Sequence, residues 1–198
     1  MRLQGAYTLH LRYIAQVFPC AVTPRHFVPL RGTSRREKKQ SNETMKVSVI
    51  TASFNSAATL SGTMETVLMQ TYPDIEYIVI DGASTDGTVD VIKQYEPRFK
   101  GRLRWISEKD NGIYDAMNKG LAMATGDIVG VLNSDDLYYD ERVVADIVET
   151  FEKNDVESIY GDLVFVEANN TNHIVRTWKG SQHTPGAFLR GWHPAHPT

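Results

Sequence analysis

The chain has 198 residues, 41% hydrophobic and 23% charged, which suits one globular domain with a buried core. Its net charge of −3 hides an asymmetry. Residues 1–44 carry eight Lys/Arg against Glu37 and Glu43, a local +6, whereas 13 basic and 22 acidic residues leave −9 on residues 45–198. The acidic body argues against nonspecific nucleic-acid binding. The single cysteine, Cys20, excludes an internal disulfide framework and a cysteine-based metal site, and fits a reducing compartment.

In chain order, YIAQVFPCAV is too short to span a bilayer and holds Pro19, so no transmembrane segment is expected. RGTSRREKKQSNET is charged, polar and unpatterned, as a disordered linker is. Residues 1–44 are therefore expected to be a disordered extension outside the fold, with the domain covering 45–198. Its opening run KVSVITA (46–52) is β-branched and predicts a buried strand. Leu60, Met64, Val67 and Leu68 recur at helical spacing. IEYIVI (75–80) predicts a second strand, followed by the turn DGASTDGT. A short helix over Val89, Ile92 and Tyr95 is stopped by Pro97. RLRWIS (102–107) predicts a third strand and YDAMNKGLAMA a helix, with Gly126 as its expected stop. DIVGVLN (127–133) predicts a fourth strand, Arg142 to Phe151 a helix and VESIYGD (156–162) a fifth strand. LVFVEANNTNHIVRTW reads as a hairpin with its tip at Asn-Asn-Thr-Asn.

Alternation of β and α predicts an α/β fold, a Rossmann-like, mostly parallel sheet flanked by helices. Such sheets bind ligands outside the carboxyl ends of their strands. Each strand end here is polar. After the first stand Thr51, Ser53, Phe54 and Asn55, which can hydrogen-bond a base or ribose, or cap a helix. After the second comes Asp81, placed to accept from a pyrimidine NH or a ribose hydroxyl. Ser84 or Asp86 is the expected cap of the next helix, with Gly82 and Gly87 permitting tight turns. A dinucleotide fold would need G-x-G-x-x-G after the first strand, and TASFNSA lacks it. After the third strand comes EKDNGIYD, with Asp115, Asn118 and Lys119 sharing one helical face. There Lys119 can meet a phosphate or pair with Asp115. After the fourth comes GVLNSDDL, whose adjacent carboxylates suit a hard cation completed by phosphate oxygens, or simply a helix N-terminus.

With SVITASFN, IVIDGASTDGT, DNGIYDAMNKGLAMATGD and VLNSDD in this order, the sequence over residues 46–168 resembles the family 2 glycosyltransferases. The resemblance implies the GT-A fold and a nucleotide-diphospho-sugar donor, with a UDP-sugar the first choice. It implies that Thr51, Ser53 and Asn55 contact the nucleoside and Asp81 the base, and that Asp110, Asn118 and Lys119 line the donor pocket. In the DXD-like motif, here Asn-Ser-Asp-Asp, it implies that Asp135 lies near ribose and metal and that Asp136 holds Mn²⁺ or Mg²⁺. The implied reaction is inverting, metal-dependent transfer to an acceptor hydroxyl on a glycan or a lipid-linked glycan, in glycan or polysaccharide biosynthesis. The implied location is the cytoplasm, at the inner face of the membrane where the acceptor is lipid-linked. The resemblance places the general-base carboxylate beyond Thr198, so the catalytic residue is unassigned and the chain is expected to be a fragment. Neither Asp162 nor Glu167 is assigned that role, and Tyr160-Gly161-Asp162 reads as structural. His193 and His196 have metal-ligand spacing, but two prolines disfavour a helix there, and an acceptor-pocket or neutral role fits better than zinc. Two alternatives stand beside the transferase: a fragment that binds nucleotide without transferring sugar, and a sugar-phosphate nucleotidyltransferase. The second would need a Gly-rich, basic loop where TASFNSA stands.

Overall fold

The computed structural model describes residues 11–16, 44–154, 158–168, 170–179 and 186–191. Two four-stranded sheets organise the described residues. The first holds β2 (Val47–Ser53), β3 (Ile75–Asp81), β4 (Leu103–Ser107) and β5 (Ile128–Val131). Its order is β4-β3-β2-β5, and every pair in it is parallel. The expected mostly parallel sheet is thus the core of the molecule.

The strands are uninterrupted apolar runs because helices cover both faces. All seven residues of β3 are buried. Period-2 alternation sorts their side chains. On one face Val47, Val49, Tyr77 and Val79 pack with Leu60, Met64 and Val67 of α1 (Leu60–Leu68). Ile92 of α2 (Thr88–Tyr95) and Val144 and Val148 of α4 (Val143–Lys153) join that cluster. On the other face Ile50, Ile78 and Ile80 pack against Ala116 of α3 (Ile113–Met123). Helix α3 sits unusually close to the sheet. A Cβ on Gly120 would lie 2.4 Å from Ile50 Cγ2, so only glycine fits.

Gly126 serves a different purpose from the expected helix stop. Helix α3 ends at Met123 with Ala124 extended, and Gly126 lies where a Cβ would meet Ser48 Oγ at 2.6 Å and Ser48 N at 2.7 Å. Pro97 does end α2, which passes into a 3₁₀ turn over Glu96–Phe99.

The amino-terminal edge of this sheet is tied by a buried carboxylate. Glu76 accepts from Ser48 Oγ (2.6 Å), Thr125 N (2.6 Å) and Thr125 Oγ1 (2.9 Å), and pairs with Lys46 Nζ at 3.1 Å. Burial pushes its pKa up, but the bonds from Ser48, the Thr125 amide and Lys46 outweigh that and hold it at about 2.

The second sheet has the order β6-β1-β7-β8. It holds β1 (Leu11–Gln16), β6 (Leu137–Tyr138), β7 (Asp162–Glu167) and β8 (Asn170–Trp178). Strand β1 belongs to the stretch expected to lie outside the fold, and its backbone pairs parallel to β6 and antiparallel to β7. β7 and β8 pair antiparallel as the expected hairpin, but Asn170, Thr171 and Asn172, expected at its tip, belong to β8 itself. Of the fifth strand expected over 156–162, residues 156–157 lie outside the described residues. Residues 158–161 are not strand, and β7 begins at Asp162, where Leu163 to Val166 supply four consecutive buried residues. His193 and His196 lie outside the described residues.

Candidate functional site

The chain runs β2 to β3 to β4 outward in one direction, then crosses back to place β5 on the far side of β2. The loops after β2 and β5 therefore part at a topological switch point, where an open α/β sheet has a crevice. A cleft of about 550 Å³ lies there. Its wall takes Ala52, Ser53, Phe54 and Ser56 from the β2 end, Gly82 from the β3 end, and Lys109 and Asp110 from the β4 end. Gly112, Ile113 and Ala116 at the start of α3 and Ser134 from the β5 end complete it.

Two features make this cleft a candidate binding site. Ser53 is only 4% exposed, and its Oγ meets no hydrogen-bonding partner among the described residues. A buried hydroxyl left this way costs free energy that a ligand polar group can recover. Phe54 is 65% exposed, an apolar ring presented to the cavity. Its floor is cut close, since a Cβ on Gly82 would lie 2.9 Å from Asp110 Oδ2 and 3.3 Å from the Phe54 ring.

The remaining expected site residues divide into those that build the wall and those that stand apart. Thr51 is fully buried outside the cleft. Its Oγ1 accepts from Tyr77 Oη (2.9 Å) and donates to the Leu132 carbonyl (2.7 Å), so it ties β2 to the β5 end. Asn55 sits at φ +49° and knits loops together. Its N–H donates to Ser84 Oγ at 2.8 Å, and its Oδ1 accepts from Thr85 N at 3.0 Å. Asp81 is also fully buried, and accepts from Ser84 N, Ser84 Oγ and Ser107 Oγ (2.6 Å). Ser84 thus serves Asp81, and Asp86 alone serves the start of α2, accepting from Thr88 N and Oγ1. That Thr88 hydroxyl, with the Ala57 N–H, holds the Asp86 carboxyl below its usual range.

Asp110 lines the cleft and accepts from Gly112 N at 3.2 Å. Lys119 does not line it. Its Nζ lies 2.9 Å from Glu108 Oε1 and 3.7 Å from Asp115 Oδ2, and the Glu108 contact raises its pKa. Asn118 is exposed on α3 outside the wall.

Asp135 and Asp136 follow the wall residue Ser134. They differ sharply, Asp135 being exposed and Asp136 fully buried. Asn133 Nδ2 donates to Asp136 Oδ2 at 2.8 Å, and Asp136 N donates to the Asn133 carbonyl at 3.1 Å, so the turn folds on itself. Among the described residues, no group of three or more His, Cys, Asp or Glu side chains could hold a metal ion. Neither carboxylate is itself in the cleft wall, but two adjacent to Ser134 are of the type that Mg²⁺ or Mn²⁺ takes, one or two from protein with the shell completed by phosphate oxygens and water.

Residue types alone did not single out Ser56, Lys109, Ile113 or Ser134. Each becomes visible only once the strand order brings the four loops together.

The fold is an α/β domain with its cleft at the carboxyl edge of a parallel sheet. The family described as Glycosyl transferase family 2 matches residues 48–196, and the chain belongs to that family. An uncharacterized glycosyltransferase of Nostoc sp. is 36% identical over 126 residues, covering 64% of this chain and 39% of the relative. A PGL/p-HBAD biosynthesis glycosyltransferase of Mycobacterium bovis is 33% identical over 123 residues, covering 62% of this chain and 48% of the relative. The chain thus spans less than half the length of these relatives.

Among solved structures, a mannosyltransferase of Pyrobaculum calidifontis in complex with GDP-Man and Mn²⁺ matches 56% of this chain and 33% of its own. Its TM-score is 0.52 and its sequence identity 28%. TarS residues 1–349 of S. aureus in complex with UDP-GlcNAc match 55% of this chain and 32% of their own, with TM-score 0.50 and 25% identity. The sheet is that of the GT-A glycosyltransferases.

Proposed function

We propose that the chain forms the donor-binding part of a metal-dependent, inverting glycosyltransferase that takes a nucleotide-diphospho-sugar. The observation that carries this is the buried, unpartnered hydroxyl of the wall residue Ser53 beside the exposed Phe54 ring, with the Ser134-Asp135-Asp136 turn on the opposite side of the switch point. A nucleoside has a flat aromatic face for Phe54 and hydroxyls for Ser53 and Asp110. A diphosphate carries the charge that the acidic turn, through a divalent cation, is suited to hold.

Asp135 and Asp136 would hold Mn²⁺ or Mg²⁺. The ion, when bound, stabilises the negative charge that develops on the departing diphosphate. Asn133 orients the Asp136 carboxylate by donating to Oδ2. Asp81 acts from beneath the site, since its bonds to Ser84 and Ser107 set the shape of the β3 and β4 loops. The carboxylate that would deprotonate the acceptor hydroxyl is assigned to none of the described residues.

UDP-sugars and GDP-sugars both suit the cleft, since the two structural relatives hold GDP-Man and UDP-GlcNAc. The acceptor is proposed to be a glycan or lipid-linked glycan, met in the cytoplasm or at the inner membrane face. No helix among the described residues is long and apolar enough to cross a membrane.

Isothermal titration of UDP and GDP, each with and without Mn²⁺, tests the reading. Binding of one of them that strengthens with Mn²⁺ supports it. Failure of both in the presence of metal overturns it. Donor turnover then separates a transferase from a segment that only binds nucleotide.

A further inference from the structure

The cleft is split by the switch point, with Phe54 and Ser53 on the β2 side and the acidic turn on the β5 side. A direct side-chain contact bridges the two loops. Ser56 Oγ and Ser134 Oγ lie 2.9 Å apart, and both residues line the cleft. We propose that this pair is a positioning clasp that couples nucleoside binding to metal binding, an inference that rests on the donor-site reading above.

Both ends of the clasp are anchored. The Ser56 carbonyl accepts from Thr59 N (3.0 Å) and Leu60 N (2.9 Å), so Ser56 opens the turn that leads into α1. Its own N–H donates to Thr88 Oγ1 at 2.8 Å, which ties it to the start of α2. Its hydroxyl also reaches the Phe54 carbonyl at 3.2 Å. Ser56 is therefore fixed to the loop that presents Phe54. On the other side, Leu132 is locked to β2 through Thr51 Oγ1 and the Ile50 carbonyl, and Asn133 folds back on Asp136. The turn is held at its start and at its end, and Ser134 in the middle reaches across to Ser56.

A ligand that orders the Phe54 loop thus also fixes Ser134, and with it the backbone that carries Asp135 and Asp136. Metal held by those carboxylates fixes the Phe54 loop by the same route. Coupling between two ligands is reciprocal and appears as a ratio of affinities. The readout is the nucleotide dissociation constant without Mn²⁺ divided by that with Mn²⁺, for UDP and for GDP.

Ser134→Ala and Ser56→Ala should each lower this ratio about fivefold, the factor one ordinary hydrogen bond supplies. The double variant should lower it no further, because either change alone removes the clasp. Ser134→Thr keeps a hydroxyl and should keep most of the ratio. General damage to the fold weakens binding in both arms and leaves the ratio in place. An unchanged ratio in the single variants, or a double variant whose loss is the product of the two, overturns the clasp while leaving the donor site standing. If the unaltered chain binds neither nucleotide with Mn²⁺, the donor-site reading falls and the clasp with it.

Discussion

Glu76→Gln offers a quantitative test of how the sheet that carries the site is held. Glu76 is 6% exposed and takes its bonds from Ser48 on β2, Thr125 beyond α3 and Lys46. Its folded pKa of about 2 lies below the ordinary 4.5. Each tenfold change in proton affinity is about 1.4 kcal/mol, so the ionised carboxylate contributes about 3 kcal/mol at pH 7. Because the folded value is depressed, this stability is complete above the unfolded value and fades as pH falls from about 5 toward 2. At pH 3 less than half of it remains by the same linkage. Glutamine keeps the volume and can still accept from Ser48 but carries no charge. Urea denaturation followed by circular dichroism at pH 7, 5 and 3 should show the variant about 3 kcal/mol less stable at pH 7, with the gap roughly halved at pH 3. A gap that stays constant across this range, or stays under about 1 kcal/mol at pH 7, would refute the assignment of that stability to the buried charge.

Three further outcomes follow from the same geometry. Asp136→Ala should abolish the Mn²⁺ enhancement of nucleotide binding in calorimetry, whereas Asp146→Ala, which removes only the surface partner of Arg142 on α4, should leave it intact; equal behaviour of the two would contradict the metal assignment. Gly82→Ala should weaken nucleotide binding about tenfold or more with little change in melting temperature, because its methyl would push Asp110 and Phe54 apart, and unchanged affinity would count against that floor. Gly120→Val should destabilise the protein by at least about 2 kcal/mol in urea, since its branches would drive α3 away from Ile50, and a smaller loss would mean the helix shifts freely.

Much of the core was legible because its signal is local. Val47–Ser53 and Ile75–Asp81 are apolar runs whose burial on both faces follows from composition alone. The periodic apolar positions of α1 and the stop at Pro97 are equally local. Strand ends could be located for the same reason, and Ser53 and Asp110 do line the cleft. Local signals could not say which polar groups the fold itself would consume. Thr51 and Asp81 look like ligand contacts in sequence, yet their oxygens are occupied by Tyr77, Leu132, Ser84 and Ser107. Those partners lie as far as 81 positions away, and nothing in a local pattern reports them.

The amino-acid sequence by itself determined the alternation of strands and helices, the parallel core and the polar character of each strand end, because hydrophobic period and β-branching act over a few residues. Tertiary structure alone decided that β5 returns to the far side of β2 and opens a cleft there. It also decided that Asp135 is exposed while its neighbour Asp136 is buried, and that Ser56 meets Ser134 across the gap. Each of these depends on residues brought together by strand order, where burial and hydrogen bonding are set by neighbours in space rather than in the chain.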